Sequence, residues 1–345
     1  MAYGKIVVGT DGSETATRAL LAAARLARRT GGEVLVVLAH DPSHLREAAA
    51  AETLSRAVAI AGKDGIAARS QLMRGQPAAA IVAAAEQDDA DLIVVGSKGM
   101  GKARRFRLGA VAEQVAHDAP CDLLIVRTVG QGSAGGDYRS ILIGTDGSPT
   151  ASEAVRKGFE LAEAVGAGVG LAFVGDNLDG RIALEETLKA RPVSSDVRTT
   201  LLKGDPADKL CELARSESFD LIVVGNKGMA GPRRLLTPVP TKVAHTAHSD
   251  VLIVRTVGRS IAELAAGQGG IVTAGGHKVA AYREPNGKLH AFSPRCTHLG
   301  CTIGWNDAAK TWDCPCHGSR YSHSGEVIQG PAQRDLMRID LTRHS

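Results

Sequence analysis

Cys296-Thr-His298-Leu-Gly-Cys301, followed by Cys314-Pro-Cys316-His317-Gly-Ser319, decides how the last part of this chain is built. Each segment carries a pincer, C-x-H in the first and C-x-x-H in the second, with 15 residues between His298 and Cys314. Together the pincers offer two thiolates and two imidazoles, the mixed donor set of one cysteine-ligated and one histidine-ligated iron. A structural zinc site draws on the same donor types. A leading C-x-H pincer, with two further cysteines in the same segments, speaks against zinc.

These residues resemble the Rieske [2Fe–2S] domains, and most of all the disulfide-containing ones of cytochrome bc complexes and of C-terminal modules on some flavin-dependent oxidoreductases. The resemblance runs over about Ile271 to Leu341 and includes Gly330-Pro331-Ala332, which looks like the family's proline loop. It implies that Cys296 and Cys314 bind one iron of a [2Fe–2S] cluster, that His298 and His317 bind the other, and that Cys301 and Cys316 form a disulfide. It also implies that Ser319 and Tyr321 supply hydroxyls to a bridging sulfide and a ligand sulfur. Drawing electron density from sulfur favours the reduced state. The expected potential therefore lies in the upper part of a range of about −150 to +300 mV. Leu299, beside His298, would give an apolar docking contact. A domain of this size has little core, so clamp and cluster would both act as staples.

Outward from these loops, 345 residues suggest two or three domains. A charged fraction of 23% and a hydrophobic fraction of 44% are those of a soluble globular chain. The net charge of +4 is too small to argue for a nucleic-acid or membrane partner. No run of 18 apolar residues exists, and Lys5-Ile-Val-Val-Gly-Thr-Asp-Gly reads as a strand and turn, not as a signal peptide. The expectation is a cytoplasmic protein without a membrane span, in which Cys121 and Cys211 are inert core thiols.

The sequence before the cluster loops repeats itself. Ile6-Val-Val-Gly-Thr-Asp11-Gly-Ser13 returns as Ile141-Leu-Ile-Gly-Thr-Asp146-Gly-Ser148, and Asp91-Leu-Ile-Val-Val-Gly96 returns as Asp220-Leu-Ile-Val-Val-Gly225. Leu124-Ile-Val-Arg127 returns as Leu252-Ile-Val-Arg255. In each copy short Val/Ile/Leu runs alternate with longer alanine-rich amphipathic segments. Strands are expected near residues 5–9, 33–39, 67–73, 91–96 and 121–127, in a parallel sheet covered by helices on both faces. These residues resemble the universal stress protein family. The fold expected is thus α/β, two tandem doubly wound parallel-sheet domains at 1–130 and 138–258, then a linker at 259–270 and a small antiparallel all-β Rieske domain at 271–345. The resemblance implies that the last strands, Leu123 to Thr128 and Val251 to Thr256, pair the copies as an internal pseudo-dimer. It leaves open a further homo-oligomer.

In the ATP-binding branch of that family a G-x2-G-x9-G-[S/T] stretch follows the fourth strand. The first copy has Gly96, Gly99 and Gly109 at that spacing, with Ala110 in place of the hydroxyl residue. The resemblance implies Asp11 near base and ribose, and Gly96, Lys98, Gly99, Gly109, Ala110 and Val111 near the phosphates of ATP or a relative. The second copy has Pro238-Val239 where the last glycine and hydroxyl would stand, and proline has no N–H to offer an anion. His117 and His245, at matched positions, suggest a shared structural role; His40, His44 and His248 default to the surface. No two-His-one-carboxylate triad and no dinucleotide G-x-G-x-x-G is evident. The functional expectation is an electron-transfer or redox-sensing protein whose redox partner is another chain. The alternatives are a nucleotide-binding regulatory protein that the cluster gates or stabilises, and a component of a larger oxidoreductase. No standalone catalytic site is evident.

Overall fold

The computed structural model describes residues 3–40, 47–97, 108–127, 135–147, 149–175, 184–185, 188, 197–226, 238–255, 261, 264, 266–274, 277–306, 309–314 and 316–341. They fall into two compact units, one of Met1–Ala85 and Ala90–Thr256, the other of Val257–Ser345 with Glu86–Asp89. Lys98, Gly99, the basic residues Arg104, Arg105 and Arg107, and His44 lie outside the described residues.

The first unit is built on one sheet of ten strands. The first copy contributes β1 (Lys5–Thr10), β2 (Glu33–His40), β3 (Ala68–Arg74), β4 (Leu92–Gly96) and β5 (Asp122–Val126). The second contributes β6 (Ser140–Thr145), β7 (Gly168–Val174), β8 (Arg198–Leu202), β9 (Leu221–Gly225) and β10 (Asp250–Val254). Within each copy the strands are parallel. Parallel pairing requires crossovers. In the first copy these are α1 (Glu14–Thr30), α2 (Glu47–Ala61), α3 (Pro77–Gln87) and α4 (Ala110–Asp118); in the second they include α5 (Pro149–Val165), α6 (Pro206–Ser216) and α7 (Val239–Thr246). Leu92, Ile93, Val94 and Val95 are all buried, as they must be in strands covered on both faces. Helix α1 shows how local chemistry sets its ends. Ser13 caps it by accepting the Ala16 N–H at 3.1 Å, and its stripe of Ala19, Leu20, Ala23, Leu26 and Ala27 is buried.

The copies join through β5 and β10, which pair antiparallel with Leu123 opposite Ile253, Leu124 opposite Leu252 and Ile125 opposite Val251. Two carboxylates lock the seam. Asp122, 1% exposed, accepts the Arg255 N–H at 2.8 Å, the Tyr3 hydroxyl at 2.9 Å and Lys157 Nζ at 2.7 Å. Its counterpart Asp250 accepts the Arg127 N–H at 2.7 Å and the Tyr138 hydroxyl at 3.0 Å. The guanidinium of Arg127 donates to the carbonyls of Ala244 and Ser249, and that of Arg255 to the carbonyl of Ala119. Each copy therefore hands a strand-end arginine to the other.

The second unit is antiparallel β. One sheet holds β11 (Gly269–Ala274), β12 (His277–Arg283) and β13 (Leu289–Phe292). The other holds β14 (Gly304–Asn306), β15 (Thr311–Asp313), β16 (Arg320–Ser322) and β17 (Val327–Gln329). Its core gathers Phe292, Ile303, Trp312, Tyr321 and Leu336 around Cys296 and Cys314. Within the stretch expected as a linker, Leu264 is buried with Val272 and Val279, and the Arg283 guanidinium donates to the carbonyls of Ile261 and Leu264. These contacts tie the described part of that stretch to the C-terminal unit. Among the described residues, no helix is long and apolar enough to cross a membrane.

One histidine reading is corrected. His40 is buried at the end of β2, because the strand carries it inward. Of the matched pair His117 and His245, these contacts are seen. His245 accepts the Leu108 N–H of the other copy at Nδ1, 3.4 Å away, whereas His117 pairs with its neighbour Asp118 at 2.5 Å.

Candidate metal centre and nucleotide edge

Two loops of one design lie in the C-terminal unit. In the first, the Cys296 N–H donates to the Cys301 carbonyl at 2.8 Å and the Gly300 N–H to the Cys296 carbonyl at 2.9 Å. In the second, the Cys314 N–H donates to the Ser319 carbonyl at 2.7 Å and the Gly318 N–H to the Cys314 carbonyl at 3.1 Å. The fifth residue of each loop, Gly300 and Gly318, has φ 73°, a conformation that a side chain would oppose. The two segments are thus one hexapeptide turn used twice. Their parent strands explain the placement: Trp312 lies opposite Tyr321 in the β15–β16 ladder, so Cys314 follows one strand and Ser319 precedes its partner.

The turns bring the sequence candidates together. Cys296 and Cys314 are each 3% exposed. The rings of His298 and His317 meet at 5.0 Å between centroids, with planes at 87°. His298 Nδ1 is buried and has no hydrogen-bond partner, an arrangement that costs roughly 1–3 kcal/mol in a domain with nothing to ligate. The Tyr321 hydroxyl lies 3.0 Å from Cys296 Sγ and accepts the Thr297 N–H at 3.1 Å. Ser319 is buried, and its Oγ accepts the Ala332 N–H at 3.2 Å. That bond seats the Gly330-Pro331-Ala332 segment on the second loop, where a Cβ on Gly330 would meet the Ser319 Cα at 2.5 Å. Leu299 stands 65% exposed beside His298.

Electrostatics follow the geometry. Burial acts to raise the Cys296 thiol, but the Tyr321 hydroxyl and the His298 N–H outweigh it and hold the thiol below its ordinary value. Burial pushes Cys314 up, against N–H groups of Cys316 and His317 aimed at its sulfur. Burial and Cys301 push the Cys316 thiol up to about 12. All three sulfurs of Cys301, Cys314 and Cys316 lie within 4.8 Å of one another, and Cys301 and Cys316 stand as free thiols. Two sulfur donors, a buried orphan imidazole nitrogen and a second imidazole beside it fit a [2Fe–2S] group. Thr297, whose hydroxyl bridges Tyr321 and the Arg334 carbonyl, was not legible as a site residue; its only signal is its place inside the pincer.

Asp313, next to Cys314, anchors this end of the ladder. Burial would raise its carboxyl, but Arg320, Asn306 and Thr311 hydrogen-bond to it and hold it below the usual carboxylate range. A depressed folded value means that the stabilisation is present above the unfolded value of about 4 and is lost as pH falls through the folded one. Acid unfolding followed by tryptophan fluorescence should therefore begin at higher pH for Asp313→Asn than for the parent chain, with little difference in shape above about pH 6.

In the first unit, Asp11 and Gly96 stand at the C-terminal ends of β1 and β4, neighbours where the strand order of the copy reverses. Crevices at such positions are where doubly wound sheets hold ligands. Asp11 Oδ1 accepts the Ser13 N–H at 2.9 Å. Gly109 is the N-cap of α4, donates its N–H to the Ser97 carbonyl and receives no side-chain cap. Ala110 and Val111 are exposed in the first turn of α4. In the second copy the matching N-cap is Pro238, and Pro240 follows it, so α7 opens with fewer N–H groups.

The model of the universal stress protein family matches residues 2–127 and 176–255, and that of the Rieske [2Fe-2S] domain matches residues 256–340. The chain belongs to the universal stress protein family and carries a C-terminal Rieske domain. A universal stress protein of Thermus aquaticus is 36% identical over 136 residues, 36% of this chain and 99% of that protein. The Bacillus subtilis protein YhfW, named for a Rieske 2Fe-2S centre, is 51% identical over 79 residues, 23% of this chain. The cytochrome b6-f complex iron-sulfur subunit of Synechococcus sp. (strain JA-3-3Ab) is 51% identical over 47 residues, 14% of this chain. This chain spans only 16% and 27% of the lengths of those two proteins. A universal stress protein structure from Archaeoglobus fulgidus superposes with a TM-score of 0.62 at 19% identity, covering 73% of this chain and 98% of that one, a likeness of fold.

Proposed function

We propose that the chain is an electron-transfer or redox-sensing protein, in which Cys296, His298, Cys314 and His317 hold the [2Fe–2S] cluster of its Rieske domain on a tandem stress-protein platform. The observation that carries this reading is the unpartnered, buried His298 Nδ1 between twin cysteine turns. A bound cluster supplies a one-electron couple. The residues around it do the rest. Tyr321 is kept protonated, because burial and Cys296 raise its hydroxyl above the ordinary value, and so it stays a donor to sulfur. His317 is exposed, which leaves its ring in reach of solvent. Leu299 offers an apolar contact to an approaching redox partner. A Cys301–Cys316 disulfide would clamp the turns; their sulfurs are close enough to approach one another.

Tyr321→Phe tests the tuning role. If the lost hydrogen bond is about 1 kcal/mol stronger in the reduced state, the midpoint potential falls by roughly 40 mV. Iron content should stay unchanged. An unaltered potential in redox titration would remove Tyr321 from the tuning role.

A second reading is that the first copy binds ATP or a relative through Asp11, Gly96, Lys98, Gly99, Gly109, Ala110 and Val111, so that the cluster gates a nucleotide-binding regulator. The contrast between Gly109 and Pro238 favours the first copy over the second. Calorimetric titration of ATP into oxidised and reduced protein is expected to give different affinities, because any coupling must act in both directions. Equal affinities exclude gating, and Gly109→Pro should abolish whatever binding is seen.

A further inference from the structure

Cys301 and Cys316 form a group with Cys314 that differs from the four proposed cluster ligands. The three sulfurs lie within 4.8 Å of one another and run from the core to the surface: Cys314 is buried, Cys301 half-buried and Cys316 exposed. Three sulfurs bound at about 2.3 Å around a planar centre stand roughly 4 Å apart, within reach of this spacing. Thiolates select soft cations such as Cu(I) and Zn(II) over hard ones. A structural zinc site takes four protein ligands and a three-ligand one must add a water, and among the described residues no further His, Cys, Asp or Glu joins the group. A three-sulfur site suits Cu(I) better.

We infer that the thiol-reduced, cluster-free C-terminal domain binds one soft d10 cation, Cu(I) in preference to Zn(II), through Cys301, Cys314 and Cys316. Copper binding itself does not depend on the cluster assignment. Its consequence does: Cys314 belongs to both donor sets, so cation and cluster exclude each other. Oxidation of Cys301 and Cys316 to a disulfide, which removes two electrons and two protons from the pair, withdraws two of the three donors at once. The clamp then guards the cradle as well as fastening it, since a chain with the disulfide in place presents Cys314 for iron and no longer for copper.

The test is anaerobic titration of the full-length, iron-free, thiol-reduced chain with Cu(I) against a chromophoric Cu(I) chelator. The expected result is one copper per chain with a near-ultraviolet thiolate-to-copper band. Affinity should fall at least about tenfold in Cys316→Ser and in Cys301→Ser and stay unchanged in Cys211→Ser. Treating the chain first with diamide, which accepts the two electrons and two protons of the pair, should abolish binding. Copper held as tightly by Cys316→Ser and Cys301→Ser as by the parent, or retained after diamide, overturns the inference; so does tighter binding of Zn(II). Iron and sulfide content after reconstitution is read separately, so failure of the cluster assignment shows there and not in the copper titration.

Discussion

Replacing Cys314 with alanine is expected to reduce the iron and acid-labile sulfide of the purified chain to background and to lower the stability of its C-terminal unit, while that of the N-terminal unit is unchanged. The argument runs from packing to chemistry. Cys314 sits in the middle of the domain core beside Trp312 and Tyr321, and its N–H closes the second turn on the Ser319 carbonyl. The alanine variant keeps that backbone bond and loses one proposed ligand together with a buried sulfur. The two small cores of this unit then stand without the stabilisation that a bound cluster adds, because binding free energy adds to folding free energy in small metallodomains. Both tryptophans, Trp305 and Trp312, lie in this unit, so tryptophan emission reports its unfolding alone and far-ultraviolet circular dichroism reports mainly the helical unit. Cys211→Ser is the control, with unchanged iron. A Cys314→Ala chain that keeps full iron and sulfide would remove this residue from the ligand set.

Asp122→Ala should be the most damaging substitution in the N-terminal unit, lowering its stability by about 3–5 kcal/mol. The carboxylate is buried and serves three donors, including the Lys157 ammonium on α5 of the other copy. Alanine leaves a tyrosine hydroxyl, a backbone N–H and a lysine without their acceptor at the seam, and unmet buried donors cost more than the bonds contributed. Lys157 is a quarter exposed and turns partly to water, which sets the loss toward the lower end of that range. Asp250→Ala removes the matching carboxylate, which accepts the Arg127 N–H and the Tyr138 hydroxyl, and should also lower the stability of this unit. Urea denaturation followed by circular dichroism measures both, and an Asp122→Ala midpoint equal to that of the parent chain would remove the carboxylate from this role.

Much of this was legible in the sequence because periodicity and motif spacing are local. The strands expected near 5–9, 33–39 and 91–96 are seen at Lys5–Thr10, Glu33–His40 and Leu92–Gly96, since strands buried on both faces read as unbroken Val/Ile/Leu runs. The pairing of the last strands, Leu123 opposite Ile253, was implied by the family resemblance. The cluster candidates were found because each turn carries its own residues in six positions. What stayed hidden was non-local. His40 is buried by neighbours far along the chain. The bond from the Leu108 N–H to His245 crosses between the copies, and the repeat gives no clue to it. The seam carboxylates left a faint trace: an Asp opens and an Arg closes the same apolar strand in both halves, charges that an isolated strand would not place at its ends.

The antiparallel meeting of β5 and β10 has a further outcome. Two copies of one chain fall apart on dilution and carry identical sequences; here the halves are tethered, so the seam persists at any concentration and each half is free to change alone. Pro238 opposite Gly109 is a change of that sort, one that a symmetric pair of identical chains would have to suffer twice.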